Sequence, residues 1–90
     1  MIELTGRLLC ADAAEAERVR QALPAHVALT RAEPGCLSFE VEPDGPLTWR
    51  VAELFTDSDA FEAHQKRMRE SDWGRATEGI KRDYEIRKTG

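Results

Sequence analysis

The sequence predicts an α+β fold in which four antiparallel strands form one sheet with helices packed on one of its faces. Three observations carry that prediction. Four segments alternate apolar and polar residues with the period of two that half-buried strands require. Two longer segments repeat apolar residues at helical spacing and open with residues suited to cap a helix. Their order along the chain is strand, helix, strand, strand, helix, strand.

In the first segment Ile2, Leu4 and Leu8 share one face and Glu3, Thr5 and Arg7 the other, a strand ending near Cys10. Asp12 then opens D-A-A-E, where its carboxylate can accept from early helix N–H groups and Glu15 can reach back as a capping box. The helix that follows carries the stripe Ala16, Val19, Leu23. Pro24 lacks an N–H and clashes with the preceding turn, so this helix is expected to break in two and restart through AHVALTRAE. Pro34-Gly35 ends it. Cys36 to Glu42 places Leu37, Phe39 and Val41 on one face, and Thr48 to Phe55 does the same with Trp49, Val51 and Phe55. Asp44-Gly45 between them is a hairpin signal, so these strands should pair antiparallel. Asp57 or Ser58 can cap the last long helix, which is expected to stop near Glu70 behind the basic residues Lys66, Arg67 and Arg69. A short connection through Arg75 to Glu78 leads to a fourth strand marked by Ile80, Tyr84 and Ile86.

That order is the split βαβ arrangement of a ferredoxin-like βαββαβ domain. Ninety residues make one such domain, 1–90, with a core small enough to gain from a partner subunit. No apolar run approaches the ~20 residues that cross a bilayer, and the N-terminus reads as a mature strand rather than a leader, so a cytoplasmic protein without membrane contact is expected. Seventeen acidic against thirteen basic residues give a net charge of −4, which disfavours nucleic acid as a partner. The topology places Cys10 and Cys36 at opposite ends of the sheet, too far apart for a disulfide, and both are read as packing residues. It brings Trp49 and Trp73 to the hairpin end, as an aromatic rim.

With this layout in place, EPGCLSFEV, a hairpin, AELF with an acidic helix start, and AFEAHQKR together resemble the antibiotic biosynthesis monooxygenase family, over roughly half the chain. The resemblance implies a dimeric α+β barrel in which two copies dimerise through their sheets. Characterised members oxygenate electron-rich aromatic compounds without metal or flavin, others degrade haem, and many have no established activity. It also implies His64, Glu53, Phe55 and Trp73 as pocket residues.

The residues themselves point the same way. Neither a GxGxxG nor a P-loop is present, and His26 and His64 fall on different helices without a clustered carboxylate, so neither a cofactor nor a metal is expected. Oxygenation would then need an apolar pocket, a proton acceptor and donors for an oxyanion. His64 is the leading acceptor, since Phe61, His64 and Met68 share one helical stripe. The competing reading is a buried histidine satisfied by backbone or by Glu53. Glu53 shares the Trp49, Val51 and Phe55 face, where it could orient His64, act as the base itself, or form an ion pair with Arg82. Trp49 and Trp73 could stack on a planar substrate or serve as core, Tyr84 could donate to an oxyanion or pack across strands, and Phe55, Phe61 and Met68 would complete the pocket.

The sequence reading is therefore a homodimeric, cofactor-independent monooxygenase acting on a small aromatic or quinol-like molecule and dioxygen. The alternatives are a noncatalytic small-molecule binding or dimerisation module on the same fold, and a haem-degrading oxygenase.

Overall fold

A computed structural model describes residues 1–89 of the chain. Its elements are β1 (Ile2–Leu9), α1 (Ala13–Arg31), β2 (Cys36–Pro43), β3 (Thr48–Phe55), α2 (Ser58–Arg69), α3 (Asp72–Ala76) and β4 (Lys81–Lys88). The strands form one antiparallel sheet in the order β2-β3-β1-β4, the ferredoxin-like arrangement that the element order predicts.

Local chemistry sets the helix starts. Asp12 caps α1 by accepting from the Glu15 N–H at 2.9 Å, while the Glu15 carboxylate accepts from the Ala11 N–H at 2.6 Å. Asp57, rather than Ser58, caps α2 by accepting from Ala60 N–H at 2.8 Å. Ser71 caps the short α3, which carries Trp73 and takes the first half of the connection expected at Arg75 to Glu78.

Pro24 does not divide the first helix: α1 runs through it. Val19, His26 and Thr30 are buried on a single face spanning the proline, so packing against the sheet holds one axis across the missing hydrogen bond. Pro24 itself is exposed, on the solvent side toward which a packed helix bows. Because the lost N–H and the ring clash oppose the helix, Pro24→Ala is expected to stabilise the fold by about 1–2 kcal/mol. A urea titration in which the variant unfolds no later than the parent would contradict this.

A second difference lies in β2. Leu37 does not join Phe39 on the core face but is 51% exposed, whereas Phe39 is 1% exposed. The pairing register with β3 slips between Cys36 and Ser38, and this bulge turns Leu37 outward. The fourth strand starts one residue after Ile80, which is buried before it, while Ile86 is exposed.

The helices cover the face carrying Ile2, Leu4, Leu8, Val51 and Phe55. Leu8, Cys10, Val19, Trp49, Trp73 and Ile80 form a closed core at the hairpin end. The expected aromatic rim is therefore interior, since both tryptophans belong to that cluster. Cys10 and Cys36 are both free thiols. Among the described residues, no helix is long and apolar enough to cross a membrane.

Candidate functional site

Between this core and the Phe39 and Phe55 end, the helices and the sheet enclose a cavity of about 90 Å³. Its helix wall is His26 from α1, His64, Gln65 and Met68 from α2, and Trp73 from α3. The sheet wall includes Leu4, Val51, Glu53, Arg82 and Tyr84. Of the residues singled out from the sequence, His64, Glu53, Met68, Trp73 and Tyr84 meet here. Trp49, Phe55 and Phe61 do not line the cavity: Trp49 packs in the core cluster, and Phe61 meets the buried Phe55 edge-on at 5.7 Å between ring centroids. Phe55 supports the site from behind, its ring 5.0 Å from that of His64. The lining is mixed rather than apolar.

His64 projects from the middle of α2 and is 1% exposed. Its Nδ1 lies 2.8 Å from Glu33 Oε1, and the same oxygen accepts from Arg67 Nη2 at 2.9 Å. Arg67 also donates to Thr30 Oγ1 at 3.0 Å. A carboxylate can only accept, so Nδ1 must carry the proton in this bond. In the neutral ring that leaves Nε2 unprotonated, 3.6 Å from Glu53 Oε1 at the cavity wall. Nδ1 is thus satisfied by Glu33, rather than by backbone or by Glu53, and Nε2 lies on the side of the ring toward Glu53.

Gly35 makes the Glu33 contact possible. Its φ is +86°, and a Cβ there would lie 2.6 Å from the Ala60 Cβ. Without a side chain the loop presses against the first turn of α2, and Thr56 N–H donates to Gly35 carbonyl at 2.9 Å. Glu33, two residues earlier, then reaches His64 one turn further along the helix. Gly6 plays a similar part for Tyr84: a Cβ on it would lie 2.9 Å from the Tyr84 ring, so the bare backbone leaves the tyrosine room in the cavity wall.

The charges follow from burial and partners. Burial, then the Glu33 charge, pushes the Glu53 carboxyl up to about 7. The expected ion pair with Arg82 does not form, because Arg82 donates instead to the Thr77 and Ile80 carbonyls and to Thr77 Oγ1. Glu53 Oε1 is buried without a hydrogen-bond partner. Burial also raises Glu33, but the hydrogen bonds from Arg67 and His64 outweigh it and hold this carboxyl below the ordinary range. Burial lowers His64, against the opposing pull of Glu33. His26 is driven down to about 3 by burial and then by His64 and Arg67, and is neutral near pH 7. Tyr84 is pushed up to about 12, chiefly by burial, and remains a hydroxyl donor.

Three residues of the site were not anticipated. His26 stacks on Trp73 with centroids 4.4 Å apart and planes 4° from parallel, and its Nδ1 is buried without a partner. It was placed apart from His64, yet their rings are 5.9 Å apart. Its signal was present: in an unbroken helix His26 continues the Val19 and Leu23 stripe. Arg67 is one of the basic residues expected to close α2, but it turns inward, three residues after His64 on the same face. Glu33 gave no local signal, since its role depends on the loop meeting α2. Among the described residues no group of three His, Cys, Asp or Glu side chains is arranged to hold a metal ion.

Residues 1–73 match the family model described as antibiotic biosynthesis monooxygenase. Among solved structures, a Pseudomonas aeruginosa protein is similar at 25% identity and TM-score 0.74, covering 96% of this chain and 88% of its own. A candidate antibiotic biosynthesis monooxygenase from Deinococcus radiodurans is similar at 22% identity and TM-score 0.78, covering 100% of this chain and 93% of its own. SnoaB, a cofactor-independent oxygenase from Streptomyces nogalater, shares the fold at 16% identity and TM-score 0.76, covering 99% and 92%. No curated relative matches the sequence.

Proposed function

Because the chain belongs to the antibiotic biosynthesis monooxygenase family, we propose that it is a cofactor-independent monooxygenase acting on a small quinol-like aromatic, with the Nε2 of His64 as proton acceptor. The observation that carries this reading is the Glu33–His64 bond of 2.8 Å, which fixes the proton on Nδ1 and leaves a basic nitrogen at the cavity. A phenolic hydroxyl placed there would lose its proton to His64, and Glu33 would stabilise the resulting imidazolium. The electron-rich phenolate then reduces dioxygen. A hydroquinone balances the reaction without an outside reductant: hydroquinone and dioxygen give hydroxyquinone and water.

Glu53, titrating near neutrality, is the second group able to hold or return a proton. Neutral His26, with its free Nδ1, would bond a second polar group of the substrate, and the Tyr84 hydroxyl would donate to a developing oxyanion. A cavity of about 90 Å³ fits at most a single ring without rearrangement and is far too small for a haem macrocycle. The same small volume favours a second reading, a binding module for a small polar molecule that performs no chemistry. An oxygen electrode separates the two: metal-free, flavin-free protein should consume oxygen with a single-ring hydroquinone. Binding without oxygen uptake across a panel of such rings would favour the module.

The protein is further proposed to be a cytoplasmic homodimer, joined through the sheet face away from the helices, where Thr5, Leu9, Ala52 and Leu54 lie on the central strands. Light scattering at micromolar concentration should give twice the 10.1 kDa of one chain. A mass of one chain would overturn the dimer.

A further inference from the structure

A surface groove of about 520 Å³ shares Met68 and Arg82 with the cavity and is also lined by Arg69, Arg75, Thr77 and Glu78. Three guanidinium groups thus face one carboxylate at the mouth of a site whose interior holds neutral or titrating groups. We propose that this groove is an anion subsite, and that the ligand of the cavity is a hydroxylated single ring carrying a carboxylate arm. The ring assignment rests on the oxygenase reading above, whereas the anion subsite stands on the groove itself.

Arg82 is the pivot. Three of its N–H groups are spent on the Thr77 carbonyl at 3.3 Å, the Ile80 carbonyl at 3.0 Å and Thr77 Oγ1 at 2.7 Å. A further N–H lies against the Tyr84 hydroxyl, so the guanidinium is held in place with its charge toward the groove, a preorganised partner for a carboxylate. Its position in both linings puts it where a ring in the cavity would extend an arm outward. Arg75 is engaged with Asp72 and with the Glu70 carbonyl at 3.4 Å, so its charge is largely offset. Arg69 is exposed at the end of α2, with a helix C-terminus beside it, and adds positive field to the groove. Glu78 is the opposing charge. The basic residues at the end of α2 therefore divide: Arg67 turns inward to Glu33, and Arg69 faces the groove.

The test uses homogentisate, a hydroquinone with a short carboxylate arm, and its neutral amide. Binding is measured first without oxygen, by quenching of tryptophan fluorescence, and oxygen uptake is measured afterwards. Homogentisate should bind about tenfold more tightly than the amide. Arg82→Gln should erase most of that preference. Arg69→Gln, on an exposed side chain that leaves the fold intact, should reduce it about threefold without changing affinity for the amide. Equal binding of acid and amide to the parent protein, or no binding of either, would overturn the anion subsite whether or not oxygen is consumed. Tight, charge-selective binding with no uptake on admitting oxygen would leave the subsite standing and reject the oxygenase.

Discussion

His64→Ala is expected to reduce kcat for any active hydroquinone roughly a hundredfold or more, the usual contribution of a positioned general base. The prediction rests on one nitrogen. Nδ1 is tied to Glu33, so Nε2 is the atom available to accept a proton within the cavity. The substitution leaves the Glu33–Arg67 pair at 2.9 Å intact, so the loop keeps its anchor and lost activity can be separated from lost structure. Glu33→Gln tests the arrangement from the other side. A neutral amide can still bond the imidazole, but it no longer stabilises the imidazolium and can present its NH2 to Nδ1, which would move the proton to Nε2. A smaller fall, about tenfold, is expected with little change in KM. Turnover at the parent rate in His64→Ala, with its near-ultraviolet circular dichroism unchanged, would remove His64 from the chemistry.

The fold was legible from the sequence because its signals are local. Period-two segments, two capping aspartates and the Asp44-Gly45 turn each act within a few residues, and together they leave one topology. The misreadings occurred where tertiary packing overrode a local rule. Pro24 should end a helix, but the buried face of Val19, His26 and Thr30 carries α1 past it. Leu37 fits the alternation, but a bulge turns it out. The candidate site was half legible for the same reason. His64 and Glu53 could be assigned to faces from periodicity, and so could their convergence under α2. Glu33 could not, because it lies in a loop and meets His64 across 31 residues of chain only when Gly35 lets that loop close on Ala60. His26 was hidden by the error at Pro24 rather than by lack of signal.

The pH dependence of stability should reveal Glu53 directly. Its folded carboxyl titrates at about 7, whereas an unfolded glutamate titrates near ~4.3. Between those values the folded protein holds a proton that the unfolded chain has lost. Stability from this group is therefore fully present below the unfolded value and falls as pH rises through the folded one, by about 4 kcal/mol in all. His26 acts in the opposite sense. Held near 3 in the fold against ~6.5 unfolded, it stays neutral while the unfolded chain takes up a proton, so stability drops as pH falls through that interval. His64, also lowered, adds to the same slope. From about pH 4.5 to 6.5 the carboxyl and the imidazoles oppose each other, and the parent protein should show a shallow profile there. Glu53→Gln removes only the falling component. Its stability should climb steeply across that window and then level off, and it should exceed the parent above about pH 7, where the parent buries an unpaired carboxylate. Urea unfolding of both proteins at a series of pH values measures the difference, and profiles that run parallel from about pH 4.5 to 7.5 would mean that Glu53 does not titrate there. If the profiles do diverge, the residue that weakens the fold above neutrality is also the one facing Nε2 of His64. That is the relation expected of a carboxyl kept for function rather than for stability.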